Sequence, residues 1–428
     1  MAHKVRSLLI HKSFQNFTFL FITQISNILI SVLSIPLIFK ALGTEAFGLV
    51  NAAFTIMITM ALGISYGYHL SGPREVAIHQ DNHQKLSEIF TEIFSSKLIL
   101  AFISLLLIWG GSFLGAFSRY SDILLFSSVM ILAEAFFPLW FMQGVEQVKL
   151  LTISNLCGKL LYILSLVFFI QSPSDAVWVN FSFGASALLV NIGLIFYVIK
   201  KWKITLFIPK LQALVNSLKE NFSLFISSVA GYLTVNGGVI ILSFTATDYE
   251  LGSFGLAERV IRVVRLFPSI MAQAIYPHAS RLYQQDRLSF FRFVKKTYAA
   301  SLLLTLMGSV LLYLLAPYII YFFAKDPLED AVLLLRVLSL VPFLATLNIA
   351  NVLLVLVKSE NKLLLKSTFI SFVFMLLVAT LGAQYYGALG MSIGLLLTEL
   401  MFFASQTWIN YRYIKSDTIA LYGRYRTR

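Results

Sequence analysis

Glu258, Arg259, Arg262 and Arg265 stand inside residues 256–276, an apolar run long enough for a helix to cross a bilayer. An arginine at mid-membrane costs roughly 2.5–3.5 kcal/mol to insert, so three cost on the order of 7–10 kcal/mol unless partners or water receive them. Charge kept at that cost marks a place where something charged binds or moves. On a helix turning about 100° per residue, Glu258, Arg262 and Arg265 cluster within roughly 60°, and Arg259 lies about 100° round from Glu258. Glu258 and Arg262 are four residues apart and can pair. That pairing leaves Arg259 and Arg265 as the stronger candidates for holding an anion.

The other apolar runs contain Lys97, Lys159, Arg336, Glu134 and Glu399. Counted with the stripe, intramembrane cations outnumber carboxylates, and such a field complements an anionic solute. Each residue also has a local reading. Lys97, near the end of its run, can reach water by snorkelling. Lys159 sits mid-run and either lines a cavity or pairs with Glu134. Arg336 either anchors at the interface or lines a cavity. Glu134 precedes Pro138, and a carboxylate beside a proline kink suits a gate, a proton site or a structural ion pair. Glu399 stands alone at mid-run and is a candidate for coupling-ion or proton binding. The binding set is therefore Arg259, Arg265, Arg262, Lys159 and Arg336, and the coupling or ion-pair set is Glu134, Glu258 and Glu399.

The elements that position these residues are membrane helices. Of the 428 residues 58% are hydrophobic and 12% charged, with mean hydropathy +0.82, whereas soluble domains are about 25% charged. Apolar runs of roughly 20 residues fall at 17–39, 47–68, 93–114, 123–143, 150–170, 176–199, 222–244, 256–276, 298–324, 331–356, 367–385 and 388–411. They predict an all-α polytopic membrane protein of about twelve transmembrane helices. The run at 17–39 is too long for a signal-peptide core and reads as the first retained span. With the N-terminus inside, lysine and arginine gather in the inner loops, and the opposite side carries only Lys40, Arg119 and Lys325. The positive-inside rule thus places both termini in the cytoplasm and accounts for the net charge of +13 without nucleic acid. Trp109, Trp140, Trp178, Trp202 and Trp408 fall near run ends, as expected of interfacial indoles. Cys157 is the single cysteine, so neither a disulfide framework nor a cysteine metal site can form.

The basic inner loop at 200–220 divides the chain. It predicts an N-terminal six-helix bundle at 1–205, a cytoplasmic amphipathic linker at 206–220, a C-terminal six-helix bundle at 221–415 and a basic tail at 416–428. The halves echo each other. Asn16-Phe17 and Asn221-Phe222 open them, and the spacing from Gly48 to Arg74 matches that from Gly255 to Arg281. An even number of spans in each half makes the repeats parallel, related by a pseudo-two-fold axis along the membrane normal, as in transporters with a site between two bundles. Outer loops are too short to house a catalytic domain, which argues against an enzyme. His79 and His83 have helical metal-ligand spacing but no third ligand. No nucleotide-binding loop is present, so the reading needs no cofactor and leaves H⁺ or Na⁺ gradients, or substrate asymmetry, as the driving force.

Asn16, Gln24, Asn27 and Pro36, the Leu42-Gly43 and Phe47-Gly48 turn, Arg74-Glu75-Val76-Ala77 and, in the second half, Gly255, Ala257 and Pro277 resemble the Wzx-type O-antigen and polysaccharide flippases. Those belong to the multidrug, oligosaccharidyl-lipid and polysaccharide exporter superfamily. The resemblance spans the whole chain through short motifs. It implies a multi-pass protein of the bacterial inner membrane that moves an undecaprenyl-pyrophosphate-linked oligosaccharide from the cytoplasmic to the periplasmic leaflet by alternating access. Membrane lipid, a polysaccharide polymerase and chain-length proteins would be its partners, and the cationic cavity would meet the pyrophosphate. The alternative is a cation-coupled multidrug or metabolite antiporter of the same superfamily, whose sites favour carboxylates.

Overall fold

A computed structural model describes residues 2–358 and 361–425, with side chains given except at 2–18, 20, 21, 24, 269, 273, 274, 277, 361 and 412–425. The side chains of Asn16, Gln24, Pro277 and the whole expected tail at 416–428, and residues 426–428 altogether, thus lie outside what is described. The chain divides into two compact units, Met1–Val229 and Ala230–Arg428. No strand occurs among the described residues.

In the first unit, α1 (Ala2–Ser65) is broken at Gly43, whose φ of 73° and ψ of −178° reverse the chain at little cost only without a Cβ. The Phe39 and Phe47 rings, 5.1 Å apart, close the contact across that turn. Next come α2 (Tyr68–Ile78), α3 (His83–Phe113), α4 (Ser121–Ser127), α5 (Val129–Ala135), α6 (Leu139–Gly144), α7 (Val148–Phe169), α8 (Ala176–Lys201) and α9 (Leu211–Thr245), the last continuing into the second unit. Helices α2 and α6 approach closely because Gly144 lies against Val76, where an added Cβ would come within 2.5 Å of the valine Cβ. Tyr68, Phe90, Trp140, Phe141 and Val198 form the core at that end. Trp140 is 3% exposed there, so its indole faces protein. Residues 211–220 of the expected linker are the first turns of α9 rather than a separate element. They are tied to the first unit by Tyr68 with Ser217 at 2.9 Å and by Ser71 donating to Asn221 at 2.6 Å.

The second unit contains the end of α9, then α10 (Asp248–Val264), α11 (Leu266–Gln285), α12 (Arg287–Ala324), α13 (Glu329–Leu338), α14 (Val341–Leu347), α15 (Ile349–Val357) and α16 (Asn361–Tyr425). Asp286 caps α12, accepting from Leu288 N at 2.9 Å and the Ser289 hydroxyl at 2.5 Å. Those bonds, the hydroxyl's first, hold its carboxyl below the usual range. Helix α16 is broken at Tyr386 and Gly387.

Nine segments of the described residues are long and apolar enough to cross a membrane. The difference from the expected runs has three sources. Ile25–Ile78, with 54 residues, and Lys362–Tyr411, with 50, each contain a break between two expected runs. Unbroken, each would reach roughly 75–80 Å at about 1.5 Å per residue, against a hydrocarbon core of about 30 Å. Residues 256–276 include 269, 273 and 274, whose side chains lie outside the described residues, so this run is not among the nine.

Candidate functional site

Helix α10 begins with a reciprocal cap, in which Glu250 N donates to Thr247 Oγ1 at 3.2 Å and Thr247 N donates to Glu250 Oε2 at 3.1 Å. Its small residues Gly252, Ser253, Gly255 and Ala257 are fully buried, which lets α13 and α16 pack close. The same helix then carries the charged stripe. Pro268 has no N–H for the carbonyl four residues back, and the helix is interrupted at Arg265, the residue shared by the end of α10 and the start of α11. Glu258 and Arg262 pair as their spacing predicts, with Nε to Oε1 at 3.2 Å and Nη2 to Oε2 at 2.5 Å.

Arg265 is ion-paired with Glu399 of α16, so Glu399, expected to stand alone, has a cationic partner. Sequence reading missed this because the partner lies on another helix far along the chain. The two pairs share an orientation. Side-chain exposure is 29% for Arg262 against 8% for Glu258, and 22% for Arg265 against 8% for Glu399. In both, the carboxylate is buried and the arginine side chain is the more exposed partner. Arg259, on the same helix, is half-buried and also has an interaction partner. Arg336 lies on α13 with its guanidinium 5.3 Å from the Tyr313 ring centroid, and its buried Nε has no acceptor.

The remaining candidates lie in the first unit, and the partners differ from those expected. Lys97 does not snorkel. It is 2% exposed and donates to Glu134 Oε1 at 3.3 Å and to the Phe137 carbonyl at 3.0 Å. That carbonyl is available because the chain leaves the helix at 137–138, at Pro138. The orientation is the reverse of the second unit's, with side-chain exposure of 3% for Lys97 and 24% for Glu134. Lys159 therefore does not pair with Glu134 but donates to Ser26 Oγ at 2.8 Å and to Asn27 Oδ1. Glu134 and Lys159 nevertheless line the same cavity of about 390 Å³, bounded by α1, α5, α7 and α8. Asn155 and Asn191, which also line it, were not singled out from sequence. The available signal was Asn155, Lys159 and Tyr162 at i, i+4 and i+7 on one face of an apolar helix.

The fold agrees with known transporters. It matches the inward-facing conformation of a multidrug resistance MATE family transporter of the MOP superfamily with a TM-score of 0.76 at 15% identity, covering 90% of this chain and 94% of that one. It matches lipid II flippase MurJ, inward closed, with a TM-score of 0.71 at 13% identity over 92% and 87%. At these identities the likeness speaks to fold alone. By sequence the chain is 27% identical over 396 residues to the "Putative O-antigen transporter" of Escherichia coli (strain K12), covering 90% of this chain and 94% of that protein. Helices, charge and relatives together define a multi-pass membrane transport protein, not an enzyme. Residues 13–283, more than half of the chain, match the family described as polysaccharide biosynthesis protein, and the chain belongs to that family.

Proposed function

We propose that this protein is a flippase that moves a lipid-linked oligosaccharide repeat unit, such as an O-antigen unit on undecaprenyl pyrophosphate, from the cytoplasmic to the periplasmic leaflet of the bacterial inner membrane. Both termini would lie in the cytoplasm, with a polysaccharide polymerase and chain-length proteins receiving the product. The family and the named relatives support a polysaccharide precursor as cargo. The observation that carries the reading is the orientation of the second unit's ion pairs, each with its carboxylate buried and its arginine accessible.

An isoprenoid tail is at home in hydrocarbon, whereas a phosphate and a hydrated glycan lose several kcal/mol per unsatisfied polar group on entering it. The protein's task is to receive the head. Arg262 and Arg265, held by Glu258 and Glu399 behind them, and Arg259 beside them offer charge-assisted donors to the phosphate or to acidic sugars. Alternation of the two halves would carry that head across, with the H⁺ or Na⁺ gradient as drive. The antiporter reading needs carboxylates open to a drug cation. Glu134, Glu258 and Glu399 are each already neutralised by Lys97, Arg262 and Arg265.

In a cell lacking its own flippase, Arg259→Gln protein present at the normal membrane level should lower surface polysaccharide at least about tenfold, a loss near 1.4 kcal/mol of transition-state stabilisation. Arg259→Lys should fall between. Immunoblotting of membranes and of surface polysaccharide reads both quantities, and full restoration by Arg259→Gln would remove this residue from the binding set.

A further inference from the structure

The cavity of the first unit has no role in the phosphate-binding scheme, yet it is built like a ligand site. Its volume of about 390 Å³ lies within the roughly 300–1,000 Å³ of small-molecule pockets. One wall is aromatic: Phe54 and Phe183 meet with centroids 5.4 Å apart, and Tyr162 and Phe183 at 5.2 Å. The other carries polar groups that the protein leaves incompletely satisfied. Asn155 Oδ1 is buried and has no hydrogen-bond partner. Lys159 has only the neutral oxygens of Ser26 and Asn27, and no carboxylate among the described residues lies within 4.0 Å of its ammonium. An intramembrane cation with no internal counter-charge is a costly arrangement, and a negative charge brought by a ligand would offset it. Glu134, its own charge matched by Lys97, lines the same cavity, and its side chain is 24% exposed.

We infer that this cavity is a saccharide subsite selecting an acidic sugar unit, a hexuronate-type ring, of the transported glycan. The ring lies on the Phe54, Phe183 and Tyr162 wall, its hydroxyls donate to Glu134 and Asn155, and its carboxylate meets Lys159. The aromatic faces and hydroxyl acceptors suit a sugar, and the single uncompensated ammonium matches a single negative charge. A diphosphate brings at least two negative charges, and the second would face Glu134 without a counter-ion. The inference deepens the flippase reading and rests on it.

Calorimetric titration of the purified protein in nanodiscs tests it. The probes are a glucuronate-terminated disaccharide, its glucose-terminated counterpart and inorganic pyrophosphate. The wild type should bind the acidic disaccharide at least tenfold more tightly than the neutral one, and pyrophosphate should not compete. Lys159→Gln should abolish the preference, and Asn155→Ala should weaken both sugars alike. If Lys159 were merely a tie between α1 and α7, Lys159→Gln would lower the unfolding temperature and leave the preference unchanged, which overturns the inference. Equal binding of the two sugars by the wild type, or competition by pyrophosphate, also overturns it. A parallel vesicle measurement of wild-type lipid-linked oligosaccharide flipping separates the readings: flipping without sugar selectivity removes the subsite and leaves the flippase, and no flipping removes both.

Discussion

Glu134→Leu should destabilise the protein by about 3–5 kcal/mol, the range found when one partner of a buried ion pair is removed, and Lys97→Met should cost less. The asymmetry follows from exposure. Removing Glu134 strands an ammonium whose side chain is 3% exposed and which keeps just the Phe137 carbonyl, whereas removing Lys97 strands a carboxylate whose side chain is 24% exposed and lines a cavity. That carboxylate can hydrate or take up a proton, so its isolation is less severe. The double variant Lys97→Met with Glu134→Leu should recover most of the lost stability, since two well-packed apolar side chains often replace a buried pair without loss. Unfolding midpoints of the three variants in one detergent decide the matter. A larger loss for Lys97→Met, or no recovery in the double variant, would show that the pair is held by something other than the contacts seen here.

The second large effect separates structure from transport in the other unit. Arg265→Gln leaves Glu399 buried without its cation and should cost about 3–5 kcal/mol, whereas Glu399→Gln leaves a half-buried arginine that solvent can still reach and should cost less. Combining Arg265→Gln with Glu399→Gln removes both charges and should restore most of the stability. It should not restore function. With the outward guanidinium gone, surface polysaccharide in a flippase-deficient cell should remain at least about tenfold below wild type, equivalent to about 1.4 kcal/mol. Recovery of both stability and polysaccharide in the double variant would make this pair a structural tie and strike Arg265 from the substrate-binding set.

What could be read from the chain divides along the range of the interactions involved. The membrane helices were legible because hydrophobic length is local, and the Glu258–Arg262 pair because both residues share one helix face. The interruption at Arg265 was missed although its signal, Pro268 three residues on, is local, because 256–276 reads as one continuous apolar run. Partner choice between helices was not legible. Lys97 could have reached water, and Lys159 could have taken Glu134. The structure instead turns Lys97 inward to Glu134 and the Phe137 carbonyl and leaves Lys159 to Ser26 and Asn27, because the placement of α3, α5 and α7 sets which cation meets the one carboxylate. Glu399 gives the same lesson, since nothing near it in sequence announces Arg265. Trp140 also has partners its position near a run end did not announce, since it packs against Phe90 and Phe141 in the core. The orientation of each pair, which decides whether a cation or a carboxylate is offered, depends on burial on both helices and has no signature in either segment.

The central claim is that accessible arginines of the second unit receive an anionic, lipid-linked head and that the protein carries it across the bilayer. The most direct test is transbilayer movement of undecaprenyl-pyrophosphate-linked oligosaccharide in vesicles containing the purified protein, followed by the rate at which a membrane-impermeant lectin gains access to the glycan. With a proton or sodium gradient imposed, wild type should exceed protein-free vesicles at least about tenfold, and a variant with Arg259, Arg262 and Arg265 all changed to Gln should match protein-free vesicles, the comparison being made on equally reconstituted, folded protein. Movement in wild-type vesicles no faster than in protein-free ones under either gradient, or a triple variant as fast as wild type, would contradict the account.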